Sequence, residues 1–208
     1  MNDDLQRTED WKNDRTGCFT GSVMADLVAR NKKTGAKLAA FDALVWKVVA
    51  ERLSGKPIEG PNGLALAWGR EVEPFAIERY ELETGKLVTP VGFVRHPKYP
   101  FIGASADGLV GNDGAIEAKC PKDPVVHLER FISGVPEEFE PQIQTEILVN
   151  DREWLDFISA DPRQSPEFQF LKIRCHRDEK MIALIEQSCL EAEEMAQSLI
   201  ERLRRIAS

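Results

Sequence analysis

The stretch from Gly103 to Pro121 contains the residue types that could do chemistry: Asp107, then Glu117 and Lys119 two positions apart. If Ala115 to Cys120 is a strand, its side chains alternate between the two faces of a sheet. Glu117 and Lys119 then share one face, and Ile116, Ala118 and Cys120 share the other. Asp107 joins the first pair in one register alone. A three-residue loop over Gly111-Asn112-Asp113 pairs Val110 with Gly114 and sets Asp107 opposite Glu117, whereas a two-residue loop shifts the pairing. Directly opposed residues place their Cβ atoms roughly 4.5–5.5 Å apart. Two carboxylates that close repel, so one keeps its proton or a cation settles between them. With an adjacent ammonium the set suits metal-assisted hydrolysis: acids hold a divalent ion while lysine steadies the attacking hydroxide or a charged phosphate. The spacing alone has low specificity, because ordinary exposed hairpins carry the same residues as solvated pairs.

The rest of the composition narrows the metal. Cys18, Cys120, Cys175 and Cys189 form no C-x-x-C pair, and His96, His127 and His176 share no ligand spacing. A metal site would have to be built from oxygen, which favours magnesium or manganese. The scattered cysteines also argue for reduced, mostly buried thiols in a chain of 208 residues. Hydrophobic residues make up 42% and charged residues 30%, ordinary for a globular protein. No stretch approaches the ~20 apolar residues of a membrane span, so no membrane partner is expected and the cytosol is the expected location. A net charge of −8 points away from DNA. Against that, Arg7, Lys12, Arg15, Arg30, Lys32, Lys33 and Lys37 enrich the first forty residues in positive charge, while Glu191, Glu193, Glu194 and Glu201 gather near the other end. A basic groove on an acidic body is compatible with both facts.

The elements that would position these groups follow from periodicity. Asp14 to Gly21 reads as a loop entering a helix from about Ser22 to Arg30. Further helices fit Leu38 to Leu53 and Leu64 to Leu82, the latter kinked or restarted at Pro74. Between them, Ser54 to Asn62 is a Gly- and Pro-rich loop. Leu87 to Arg95, Phe101 to Val110 and Ala115 to Cys120 read as strands. Helical pieces at Val125–Ile132 and Pro141–Val149, strands at Trp154–Ala160 and Phe168–Arg174, and a long amphipathic helix from Asp178 to Ile206 complete the chain. The last helix, apolar at Met181, Ile185, Ala192, Met195, Leu199 and Leu203, is a packing element first and a subunit contact second. With no repeat and no interdomain linker, the expectation is one α/β domain over residues 1–208, a central mixed β-sheet flanked by helices.

Five blocks in order resemble the lambda exonuclease family, the YqaJ-type viral recombinases within the PD-(D/E)XK nucleases. They are Trp11, Arg15, Gly17, Thr20, Gly21 and Ser22; Ala65 to Arg70 with Glu73; Ser105 to Leu109; Glu117 to Pro121; and Pro141 to Gln144. The similarity runs from Trp11 to about Arg163 and more loosely beyond. Ala106 stands where the family has proline, Ala118 where it has leucine, and the loop Asn31 to Lys37 matches poorly.

That resemblance implies a restriction-endonuclease-like core and a set of roles. Asp107 and Glu117, with the backbone carbonyl of Ala118, would coordinate magnesium, with manganese as a substitute, and Glu73 would support that site or a second ion. Lys119 would orient the water and stabilise developing charge, and Gln142 would help place the water or the scissile phosphate. Arg15 and Ser22 match a pocket for a 5′-terminal phosphate, where a guanidinium fork suits the anion and a helix start adds its own preference. Leu66 matches an apolar wedge that separates strands. The implied activity is 5′-to-3′ digestion of one strand of linear double-stranded DNA, leaving a 3′ overhang. The implied partners are a single-strand annealing protein and two further copies in a ring-shaped homotrimer. Two other readings fit the residues taken singly: a PD-(D/E)XK endonuclease of restriction or repair type, and a non-catalytic adaptor that binds DNA or the annealing protein. Outside the resemblance, Glu73, Gln142, Gln144 and Arg15 would be solvated surface groups, and Trp46, Trp68 and Trp154 core or boundary aromatics.

Overall fold

The computed structural model describes residues 5–58, 60 and 63–208. Three early helices precede the sheet: α1 (Glu9–Arg15), α3 (Ala39–Ser54) and, between them, the short α2 (Met24–Val28). α1 forms in a stretch to which the sequence assigned no element, and it takes in Asp14 and Arg15 of the loop expected from Asp14 to Gly21. Thr8 caps it by accepting from the Trp11 N–H at 3.1 Å, with Glu9 and Asp10 in its first turn and Lys12 and Arg15 in its last, each matched to the helix dipole. The segment expected as a helix from Ser22 splits into one 3-10 turn, Gly21–Val23, and the five residues of α2. α4 (Leu64–Thr84) runs through Pro74 as one helix, with no restart there. Of the expected loop 54–62, residues 59, 61 and 62 lie outside the described set, as do residues 1–4.

Two predicted strands are each divided. Leu87–Arg95 becomes β2 (Val88–Thr89) and β3 (Val94–Arg95); Phe101–Val110 becomes β4 (Ile102–Ala104) and β5 (Gly108–Val110). The halves belong to different sheets. β4 lies between β3 and β1 (Phe19–Thr20), while β2 and β5 continue into β6 (Gly114–Lys119), β7 (Trp154–Ala160) and β8 (Phe170–His176) in the order β2-β5-β6-β7-β8. The larger sheet is mixed, with β6 and β7 parallel and its other pairs antiparallel. Parallel pairing requires a crossover, supplied here by α5 (Pro124–Ser133) and α6 (Glu140–Val149).

Helices cover both faces of that sheet. Val72, Ala76 and Tyr80 of α4 pack on Ile116 and Ile158; Ile143 and Ile147 of α6 pack on Ala115, Leu155 and Phe157 from the other side. A separate apolar cluster joins α2, α3 and β4 to the long α7 (Glu179–Ala207) through Met24, Phe41, Val45, Ile102, Ile185 and Cys189. α7 is thus a packing element, as its apolar stripe indicates. Charges on its outer side tie it to the N-terminal region: Glu193 takes a bidentate fork from Arg52, and Glu191 pairs with Arg30 and Lys37. The cysteines are all unpaired as thiols. Among the tryptophans Trp154 is buried, while Trp46 is 47% exposed and so is no core residue.

Candidate active site

The β5–β6 hairpin sets the geometry. Val110 pairs with Gly114, Leu109 with Ala115 and Gly108 with Ile116, the register of the three-residue loop. Gly111 enters that turn at φ 61°, a left-handed conformation that glycine adopts without strain. One step further Asp107 donates its backbone N–H to Ile116 O at 3.1 Å, and its Oδ2 accepts from the Ala118 N–H at 2.8 Å. The side chain of Asp107 therefore stands where a backbone partner would, just before β5 begins and beside the part of β6 that runs past it.

On β6, Glu117 and Lys119 point to the same side, and Lys119 Nζ lies 2.6 Å from Glu117 Oε1. The same oxygen accepts from Gln142 Nε2 on α6 at 2.6 Å. Glu117 is 4% exposed, and its second oxygen, Oε2, is buried without a hydrogen-bond partner. Glu73 approaches from α4 and is held by Arg7 Nη2 at 2.5 Å. Arg7 itself adopts φ 67°, uncommon for a residue with a side chain. Glu73, Asp107, Glu117, Ala118, Lys119 and the rim residue Leu66 all line one cavity of about 410 Å³.

Electrostatics in this cavity act most clearly on Asp107 and Lys119. Burial, then Glu117 and Glu73, hold the Asp107 carboxyl well above the usual carboxylate range, against the pull of the Ala118 N–H and Lys119. Burial opposes the charge on Lys119, but Glu117, Glu146 and Asp107 outweigh it and its pKa rises. Burial beside Asp107 and Glu73 also pushes the Cys120 thiol up to about 12, so it is a neutral thiol in the metal-free protein at neutral pH. Among the described residues no three His, Cys, Asp or Glu side chains form a ready-made metal cage. The donors present are two carboxylates and a backbone carbonyl, hard oxygens that suit magnesium or manganese. The unpartnered Glu117 Oε2 and the raised Asp107 are the marks of a site short of positive charge. The donor set fits a divalent cation.

Arg15 and Ser22 lie elsewhere, in a second cavity of about 680 Å³ with Thr20, Lys47 and Glu51. The guanidinium of Arg15 stacks over Trp11 at 4.0 Å and makes no hydrogen bond to another described residue. Burial lowers its pKa while Glu51 opposes that shift; as a guanidinium it stays charged. Ser22 is exposed, 3.4 Å from the Thr20 hydroxyl. With only a 3-10 turn and five residues behind it, the helix-start contribution expected at Ser22 is slight. Arg7, Trp11, Lys12 and Arg70 line both cavities, and Trp11 is fixed by donating Nε1–H to Ser105 Oγ at 2.8 Å.

Several contributors escaped the sequence reading. Arg7 and Lys12 stood out as positive charge, but their place in the cavity walls did not. Glu146, four residues after Gln142 on α6, is 1% exposed and belongs to the same acid network; the one-turn spacing was its available signal. Arg130 donates to the Lys119 carbonyl at 2.9 Å and to Ser159 Oγ at 3.0 Å, bracing the strand end that carries the ammonium. Conversely Gln144 is structural, donating to His176 O and accepting from the Asp178 N–H. Arg30 and Lys37 are spent on α7, away from both cavities.

Residues 10–153 match the model of the YqaJ-like viral recombinase domain. Among solved structures, an alkaline exonuclease from Laribacter hongkongensis is 36% identical, with 96% of this chain and 98% of that chain aligned and a TM-score of 0.87. The same enzyme in complex with dAMP aligns over the same shares at 0.88. A phage-related exonuclease from Haemophilus somnus shares the fold, at 15% identity over 89% of this chain and 96% of that one, TM-score 0.71. A search of curated proteins finds no match.

Proposed function

This chain belongs to the family of YqaJ-like viral recombinase domains, and from that premise we propose that it is a divalent-metal-dependent DNA exonuclease acting in recombination. In finer terms, it digests one strand of linear duplex from a 5′ end and leaves a 3′ single strand for an annealing protein. One observation carries the reading: Glu73, Asp107, Glu117 and Lys119 converge on a cavity that shares a wall with a second cavity holding Arg15 and Ser22.

Asp107, Glu117 and the carbonyl of Ala118 would hold magnesium, with manganese as a substitute and Glu73 in support. Bound there, the ion supplies a Lewis acid for the phosphodiester. The acids around Lys119 raise its pKa and favour its ammonium, which would serve as a point charge and donor toward the phosphoryl oxygens. Gln142 spends its amide protons on carboxyl oxygens, which leaves its carbonyl oxygen to accept from the attacking water. Arg15 offers a planar, undepleted fork to a terminal phosphate, and the Ser22 hydroxyl adds a donor. Leu66, 48% exposed at the rim, is the apolar edge against which the two strands part.

The acidic total is reconciled with DNA by a homotrimeric ring whose inner wall carries Arg7, Lys12, Arg15 and Arg70, with the substrate retained by topology. We take residues 1–208 as a single nuclease domain working in the cytoplasm of a bacterial host. No helix among the described residues is long and apolar enough to cross a membrane.

The test is digestion of end-labelled 5′-phosphorylated linear duplex with magnesium. Release of mononucleotides from the 5′ ends, with covalently closed circles left intact, is expected. Release from 3′ ends, or cutting of closed circles, overturns the reading and favours an endonuclease. Absence of any metal-dependent cleavage leaves a non-catalytic adaptor.

A further inference from the structure

Glu146 on α6 is a buried acid that the reaction outlined above does not use. Its Oε2 is buried and has no hydrogen-bond partner. Its Oε1 accepts from Gln142 Nε2 at 2.8 Å, and the same nitrogen donates to Glu117 Oε1 at 2.6 Å. A primary amide has two N–H donors and one acceptor oxygen. Here both donors are directed at carboxyl groups on two different elements, so the amide plane is fixed and its oxygen is turned away from the acids. Burial and the neighbouring Glu117 hold the Glu146 carboxyl well above the usual range, while Lys119 and the Gln142 amide pull the other way. A neutral acid with one accepting oxygen fits that environment. Packing alone does not account for it, since an apolar side chain would fill the space without stranding a polar atom.

We propose that Glu146 is a positioning residue for the reaction: by accepting one Gln142 amide proton it directs the other to Glu117 and keeps the Gln142 carbonyl oxygen available to the attacking water. The inference rests on the exonuclease reading, in which Gln142 touches water or phosphate and Glu146 acts only through it.

The experiment compares Glu146→Ala, Glu146→Gln, Gln142→Ala and the double Glu146→Ala/Gln142→Ala, each checked by thermal melting, on 5′-phosphorylated duplex with magnesium. Glu146→Ala should lower kcat about tenfold with KM unchanged, the effect of one lost orienting hydrogen bond. Glu146→Gln, whose side-chain carbonyl still accepts, should stay within about threefold of the wild type. In the Gln142→Ala background, Glu146→Ala should cost nothing further. A readout independent of turnover is hydrogen exchange at the Gln142 side-chain amide, in which both protons are protected in the wild type and one is released in Glu146→Ala. If Glu146→Ala does not fold, Glu146→Leu, which keeps the volume, takes its place. Wild-type kcat in Glu146→Ala, a Glu146→Gln as slow as Glu146→Ala, or additive losses in the double variant each overturn the proposal. A wild type without nuclease activity sinks the exonuclease reading instead; unchanged amide exchange in Glu146→Ala then overturns the positioning role separately.

Discussion

Asp107 Oδ2 accepts the Ala118 N–H at 2.8 Å, so an acidic side chain completes the backbone pairing of the strand that carries Glu117. One bond thus sets the position of one acid against the other. It also holds Asp107 in surroundings that raise its pKa.

Stability of the metal-free protein should therefore fall as pH rises. A carboxyl whose folded pKa lies above its unfolded value near 3.8 binds its proton better when folded. That contribution is complete below the unfolded pKa and is lost as pH climbs through the folded one. Melting temperatures measured from about pH 5 to pH 9 in the presence of a chelator should decline, and Asp107→Asn should flatten the decline. Manganese binding should release protons, detected calorimetrically in buffers of different ionisation enthalpy, and Asp107→Asn should release fewer. Equal slopes and equal proton counts would remove Asp107 from the metal site.

Lys119→Met should lower kcat by at least roughly 100-fold, the scale of losing one preorganised charge donor. Manganese affinity in the same variant should hold or tighten, because a cation beside Glu117 has been removed. Since the pKa of Lys119 is raised, the wild-type rate should show no fall from lysine deprotonation up to about pH 10. An activity that rises with pH through the lysine's titration, with that rise absent from the methionine variant, would assign Lys119 the role of a base.

Arg15→Ala should abolish discrimination between 5′-phosphorylated and 5′-hydroxyl duplexes. Its effect should appear mainly in KM, with manganese affinity unchanged, because the guanidinium lies in the second cavity beside Trp11. A variant that still prefers phosphorylated ends as strongly as the wild type would move the terminal-phosphate pocket elsewhere.

Gly114→Ala tests the hairpin itself. A Cβ at Gly114 would meet the ring of Trp154 at 2.1 Å. That ring is buried and stacked under Arg174 at 3.6 Å, so it has little room to move. Denaturant unfolding should show a loss of about 1–3 kcal/mol or more from overpacking, together with reduced activity as the Glu117 strand shifts. Full stability in this variant would mean that the hairpin adapts more easily than its packing implies.

How much of this was legible in the sequence depended on the kind of signal. Val110 and Gly114, Glu117 and Lys119 could be placed because strand alternation and turn length are local rules, and the structure has that register. The strand 154–160 and the helix after Asp178 were legible from their apolar periodicity, and both start within a residue of their expected positions. α1 was missed because it buries no residue and so has no apolar period; its signature is the Thr8 cap and the charge order behind it. Splitting Leu87–Arg95 and Phe101–Val110 between two sheets was not legible either, since pairing partners distant in sequence decide it. Glu146 and Arg7 became visible only once α6 and the N-terminal segment were packed beside Glu117 and Glu73. Each is an ordinary charged residue until its neighbours are known.

The wall of Arg7, Trp11, Lys12 and Arg70 that divides the two cavities has one more effect under the proposed reading. An anchored chain end on one side and the cutting groups on the other would then lie across the same four side chains. Fragment length would be gauged by that partition, identically for every base, and each hydrolysis would recreate a terminus ready for the next measure.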